Sequence, residues 1–410
     1  MLACAGMATS GPAPLGADEV RRIVADMLAD AETRTSLIAD TAGYDGRFFL
    51  ADPESGFRLT LTCEYQMRYL ASFDAVESDA DGEDEADIKD GFQLHNARLD
   101  FRGSTHDRRI GFRVMPAYSR SEDTMILLDA QADIRAGEWM FRVGQYSLPF
   151  TRDFFSLAPT RLVAADRPFT DYIFRLSRSQ GVMAFRSWER IRGYLSFSDG
   201  SRALNTDFDD PDEADVAFTG RVEGRLLDGD WKQFEFAFVQ PDIAPDLLIG
   251  GAAHWQNDGR TGAPADFSGE TDLSTATIDL SWQTGGWTAA CAGYWRTIDG
   301  EGDQSVTDWG FMAHAAVQVA NHFDLFVRYS QVWPDSDRTG GAADFPVLEL
   351  GTNWALIPGS QVARATAQIL WCPEPQEDSA SIVAPNDSIG ILADADGGQL
   401  TFLIQFQLVF

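Results

Sequence analysis

GFQLHNARLDFRGSTHDRRIGFRVMPAYSRSEDTMILLDAQADIRAGEWMFRVGQYSLPFTRDFF, residues 91–155, is built from short segments in which apolar and polar residues alternate. Ala97, Leu99 and Phe101 alternate with Arg98, Asp100 and Arg102, and Ile110, Phe112 and Val114 alternate with Arg109, Gly111 and Arg113. Leu128, Ala130, Ala132 and Ile134 interleave with Asp129, Gln131, Asp133 and Arg135, while Trp139, Phe141 and Val143 bracket Met140 and Arg142. A period of two sends successive side chains to opposite faces, so each segment reads as a strand with one apolar and one polar side. Residues 144–150 (GQYSLPF) end the series, because Gly and Pro interrupt regular pairing and open a long connection.

The same pattern continues on both sides. In 57–73 all nine odd positions are apolar or aromatic, whereas Leu70 is the one apolar residue among eight even positions. Soluble strands average about five or six residues, so seventeen suits a longer span. Further strands are expected at 180–186, 190–198, 215–226, 247–256, 272–283, 286–298, 307–320, 322–333, 347–356, 362–371 and 399–410. With five strands before residue 144 the total is sixteen. Segment 231–240 is read as part of a connection, since an odd total would put the two ends of the barrel chain on opposite sides. Tight turns at Gly285-Gly286, Ala320-Asn321 and Pro358-Gly359 alternate with longer acidic or Gly-rich loops, as in a transmembrane barrel.

Three motifs in the 91–155 stretch resemble the phosphate-selective porin O and P family of outer-membrane proteins. They are the Gly-Phe-x-x-x-x-Ala-Arg-Leu-x-Phe-x-Gly strand from Gly91 to Gly103, the Leu-Leu-Asp-Ala strand from Leu127 to Ala130, and the Arg-x-Gly-Gln-aromatic-x-x-Pro-Phe segment from Arg142 to Phe150. The resemblance implies a homotrimeric outer-membrane barrel whose loop at about 146–178 folds inward as a constriction. Members often carry a lysine in the last motif, where this chain has Ser147 and Leu148.

Composition narrows the choice. Lys and Arg number 32 against 63 Asp and Glu, a formal net charge of −31, which excludes a nucleic-acid partner. Aromatic residues at 12% exclude a disordered chain. No apolar run approaches the eighteen or so residues of a transmembrane helix, while a barrel strand needs only about ten alternating ones. The cysteines Cys4, Cys63, Cys291 and Cys372 have no metal-ligand spacing, and Cys63 and Cys291 fall on apolar strand faces. Residues 1–16 read as an unstructured N-terminus or signal remnant, 17–40 as an amphipathic helix, 41–56 as a linker and 57–410 as the barrel. The last strand alternates Leu400, Phe402, Ile404, Phe406, Leu408 and Phe410, which resembles the assembly signal of outer-membrane barrels.

No GxSxG, HExxH, P-loop or Rossmann fingerprint occurs, and neither catalysis nor a cofactor is expected. His95 beside Asn96 leaves a lipase-like site open. Asp79, Asp81, Glu83 and Glu85 around Gly82 are a weak calcium candidate without EF-hand spacing. With the apolar faces toward lipid, Arg98, Asp100, Arg102, Arg109, Arg113, Asp129, Asp133 and Arg142 point into a lumen, where mixed charges would set a transverse field. Arg152, Asp153, Arg161, Asp166 and Arg167 are the charged candidates on the constriction loop. The expected role is passive diffusion of small hydrophilic solutes or ions, anion-preferring by the family resemblance, although acidic loops would concentrate cations at the mouth. A barrel enzyme, a closed adhesin-type barrel and a soluble secreted all-β binding protein are the alternatives.

Overall fold

In a computed structural model the chain is described from residue 41 onward, except 45–46, 53, 74–76, 79–83, 86–87, 106–108, 121, 262–266, 268, 339–340, 359, 361, 375–388 and 393–397. Before residue 41 only 19, 21, 22 and 24–27 are described, and all are helical. The remainder of the expected helix, the N-terminal sixteen residues and the cation candidates Asp79, Asp81 and Glu83 lie outside the described residues. Glu85 pairs with Glu77 in a two-residue hairpin.

Among the described residues, sixteen antiparallel strands close into a ring. In chain order they are β1 (Phe57–Phe73), β2 (Ile88–Thr105), β3 (Ile110–Ser119), β4 (Thr124–Ala136), β5 (Trp139–Ser147), β6 (Arg178–Ser187), β7 (Ile191–Ser198) and β8 (Val216–Arg225). The second half comprises β9 (Asp246–Asn257), β10 (Thr271–Thr284), β11 (Trp287–Gly300), β12 (Ser305–Ala320), β13 (Phe323–Trp333), β14 (Phe345–Ala355), β15 (Ala363–Cys372) and β16 (Gln399–Val409). Each strand pairs with its chain neighbour, and β16 pairs with β1 from Leu400↔Phe73 to Val409↔Glu64. Cys63 and Phe410 then exchange backbone hydrogen bonds of 2.6 and 3.1 Å. Closure leaves no open sheet edge, the condition for crossing a bilayer with strands.

One correction concerns 41–56, which is more than a linker. Ala42–Tyr44 and Phe48–Asp52 form a hairpin, and Phe48–Asp52 pairs with β1 over Phe57–Leu61. β1 has 17 residues and β16 has 11, so β1 projects past its closing partner. The hairpin satisfies the backbone groups that this overhang exposes.

Apolar side chains look outward. Ile278 is 63% exposed and Ile404 60%, while Thr277 and Gln405 beside them are buried in the interior. A chain whose hydrocarbon faces outward on strand after strand is built for lipid, which removes the soluble-protein alternative. Rings flank the belt: Phe323 stacks on Trp354 at 6.3 Å near one rim, and Trp309 pairs across the sheet with Trp295 and Trp333 near the other. Cys63 and Cys291 lie on the outer face as partly exposed free thiols, and Cys372 is buried inside.

Candidate functional site: a basic lumen

Two segments enter the barrel interior, from opposite rims. The first is the β5–β6 connection, 148–177, which carries the short helices α1 (Arg152–Phe155) and α2 (Phe169–Phe174). Most of its backbone is irregular, so its carbonyls need partners other than one another. Inward side chains supply them. Arg221 of β8 donates to Phe150 O at 2.7 Å, Arg296 of β11 to Ile173 O at 3.1 Å, and Arg328 of β13 to Asp166 O at 2.8 Å. Asn353 of β14 donates to Val163 O, Arg364 of β15 to Leu162 O and Gln407 of β16 to Thr160 O, at 2.8 to 2.9 Å. Phe174 stacks on Tyr294 at 5.3 Å and 12°. The loop is thereby laid along β8 and β11–β16, filling that side.

The second segment is the β8–β9 connection, residues 226–245, at the rim that also holds the chain's C-terminal strand end. Other connections at that rim are short, so this one breaks the alternation of turn and loop lengths. Asp230 caps a 3-10 turn over Trp231–Glu235, with reciprocal bonds to Lys232 N and from its own N–H to Gln233. Beyond it, Ala237 and Val239 pack with Leu157, Leu162 and Val163 of the loop. Segment 231–240 is thus a connection, as expected, but one that lies inside the barrel.

What remains open is a cavity of about 410 Å³ against β1–β8. Among the described residues its lining holds nine arginines (Arg47, Arg98, Arg102, Arg113, Arg142, Arg161, Arg167, Arg178 and Arg192) and four carboxylates, Glu64, Asp100, Glu223 and Glu235. Along the wall, carboxylates serve as clips between guanidinium groups. Asp100 holds Arg102 and Arg113 at 2.8 Å, and Asp129 holds Arg113 at 2.9 Å and Arg178 at 2.8 Å. Asp133 holds Arg142 at 2.7 Å. In the run from Arg102 to Arg178, three cations meet two anions, so the clipping leaves positive charge over. Arg98 Nε has no hydrogen-bond partner among the described residues. Arg192 stacks over Trp231, 3.9 Å from the ring centroid.

The candidate residues divide between this cavity and its surroundings. Arg98, Asp100, Arg102, Arg113, Arg142, Arg161 and Arg167 line it. Asp129 and Asp133 stand behind the arginines they clip, and Arg109 is exposed in the turn just before β3. Arg152 and Asp153 are buried on the far side of the loop, where Arg152 donates to Phe234 O at 2.9 Å. Asp166 is turned to the filled side as well, gripped by Arg68 at 2.6 Å and met by His95 Nε2 at 3.1 Å. Burial alone would raise the Asp166 carboxyl, but Arg68 and His95 hold it well below the usual range. Asp153 goes the other way, pushed up to about 6 by burial and by the neighbouring Asp171. The loop's acids Asp153 and Asp166 are therefore turned away from the cavity and buried against its filled side. His95 has its ring on Asp166, where it shares that carboxylate with Arg68 in holding the loop.

Sequence reading missed Arg192, Glu64 and Glu223, although these three sit where alternation predicts the polar face of a strand, and it also missed Arg47 and Arg178, which it placed in connections. Trp231, Phe234 and Glu235 were passed over with 231–240, where Phe234, Phe236 and Phe238 alternate as in a strand but the segment is a connection inside the barrel.

No protein-family model and no curated protein matches the chain. Solved structures do match its fold. An anion-selective porin from Comamonas acidovorans aligns over 86% of this chain and all of its own, with TM-score 0.57 and 13% identity. OmpF of Salmonella typhi aligns over 88% and 99%, with TM-score 0.55 and 12% identity. OmpT of Vibrio cholerae in its trimer form aligns over 86% and 99%, with TM-score 0.52 and 12% identity. The chain has the sixteen-stranded barrel fold of bacterial outer-membrane porins.

Proposed function

We propose that this barrel is a passive outer-membrane porin through which small hydrophilic solutes diffuse, with anions preferred over cations. The observation that carries the reading is the lumen lining, nine arginines against four carboxylates, in a chain whose total charge is −31. The acidity of the whole resides elsewhere, much of it in loops such as 74–90 and 205–215. Guanidinium groups stay charged at any working pH and hydrogen-bond carboxylate and phosphate oxygens well. Field lines concentrate in a narrow low-dielectric passage, so the lining outweighs distant surface charge in choosing the ion. The role needs no catalytic group and no cofactor. A homotrimer in outer-membrane lipid is the expected assembly, supported by the trimer form of the similar Vibrio cholerae barrel. Selectivity for phosphate in particular has weaker support, since the loop lysine of that family is replaced by Ser147 and Leu148.

The test is the zero-current potential of the purified barrel in a planar bilayer under a KCl gradient. A potential of the sign set by chloride permeation supports the reading, and one set by potassium overturns it.

A further inference from the structure

Six aromatic residues share the cavity with the arginines: Phe154, Phe155, Phe185, Tyr194, Trp231 and Phe234. Three of them form a continuous strip across the strand wall and the loop. Phe185 of β6 stacks on Tyr194 of β7 at 5.8 Å and 24°, and Tyr194 meets the edge of Phe155 on α1 at 5.0 Å and 84°. Guanidinium groups stand at its margins. Arg142 lies 5.4 Å from the Phe185 centroid, and Phe154, next to Phe155, has Arg167 at 4.9 Å and Arg178 at 5.2 Å.

We propose that the channel's preferred solutes are organic anions that carry an aromatic ring, aromatic carboxylates above all, held by the Phe155–Tyr194–Phe185 strip and the guanidinium groups beside it. This deepens the anion reading above and rests on it. A bare hydrated oxyanion gains nothing from rings, and apolar surface on a water-filled wall is costly unless something covers it. A flat solute with a carboxylate matches both halves of the wall at once. Its ring stacks on Tyr194 or Phe155 while its oxygens take paired N–H donors. Arg98 offers such donors without displacing a carboxylate, since it lines the cavity and makes no ion pair among the described residues. Arg192, which touches the Trp231 ring, the Tyr194 hydroxyl and, at a long 3.4 Å, Ser187 Oγ, is held by no carboxylate among the described residues and offers another. The cavity, about 410 Å³, is within the range that holds molecules of one or two rings.

The experiment measures block of the chloride current by benzoate, cyclohexanecarboxylate, acetate, phosphate and benzylammonium, added to the intact barrel in a bilayer. Benzoate is expected to halve the current at a concentration about fivefold below cyclohexanecarboxylate, which has equal charge and similar size. Tyr194→Leu, which keeps apolar bulk but removes the ring, is expected to erase that difference. Equal block by benzoate and cyclohexanecarboxylate in the unaltered barrel overturns the proposal, as does stronger block by phosphate. Those results leave the anion reading intact if the reversal potential keeps its chloride sign. A potassium-signed potential, or block by benzylammonium alone, removes both. The comparison of solutes on the unaltered barrel needs no variant, so a folding failure of Tyr194→Leu does not shield the idea.

Discussion

Arg161 and Glu235 meet at 2.9 Å inside the barrel, and they belong to segments that enter from opposite rims. The contact is reinforced by Ala237 N–H donating to Arg161 O at 2.8 Å and by the Arg161 guanidinium lying 4.6 Å from the Phe236 ring. The loop that narrows the lumen is thus clasped by an inserted connection from the far side. Both partners line the open cavity, so the clasp is also part of the permeation path.

Glu235→Gln removes one of four lumen carboxylates and leaves the clasp's shape. Chloride-to-potassium permeability is expected to rise, read from the reversal potential. Glu235 is 49% exposed, so water already screens the pair, and the unfolding midpoint is expected to move by less than about 1 kcal/mol equivalent. A large loss of stability with unchanged permeability would show that the pair is only a brace.

Arg142→Ala and Arg152→Ala should part company. Arg142 faces the cavity with Asp133 as its counter-ion, so its removal leaves a net negative spot and lowers anion preference with little change in stability. Arg152 is sealed behind the loop near Asp153, Glu223 and Asp279. Its loss leaves the Phe234 carbonyl without that donor behind the loop, a change that costs about 1–3 kcal/mol. Thermal unfolding in detergent and bilayer selectivity, measured on both variants, separate the two outcomes.

The loop's anchoring should depend on pH in two directions. Asp153 titrates near 6 in place instead of near 3.8, and burial raises Asp171 too, so both bind protons more tightly folded than unfolded. The stability they contribute is full below about pH 4 and is lost as pH rises through 6. Asp166 is depressed, so its contribution is present above about pH 4 and fades on further acidification. Current noise from loop movement is expected to be lowest near pH 5 and to grow toward both pH 7 and pH 3. Asp153→Asn should flatten the upper limb and leave the lower one.

Gly310 of β12 gives a steric test of docking. A Cβ there would collide with the Phe174 ring, which is buried against Tyr294. Gly310→Ala is expected to push α2 off the wall at a cost of about 1–3 kcal/mol. Larger and noisier open-channel steps should follow. Unchanged conductance with the same destabilisation would mean that the loop can shift without altering the path.

The strands were legible because a two-faced ribbon between lipid and water imposes alternation that few other environments impose. All sixteen lie where that alternation places them, and 231–240 is not among them. The strand at Phe48–Asp52 was not legible. Its need arises from the unequal lengths of β1 and β16, a fact of closure and not of local pattern. The direction of the loop's charges was likewise hidden. Nothing in the order Arg152-Asp153 or Asp166-Arg167 tells which partner faces water, since loop residues have no fixed period. Net charge was silent on the lumen, for −31 says nothing of the arginines concentrated within.

Sixteen strands fix a circumference, and that figure alone would suggest a generous bore. With one flank upholstered by residues 148–177 and a second wedge seated from below, the usable gauge is that of a much slimmer pipe. Its electrical resistance should therefore exceed what the strand number implies. Widening it calls for loosening the upholstery, since adding staves would enlarge the shell and leave the throat as it is.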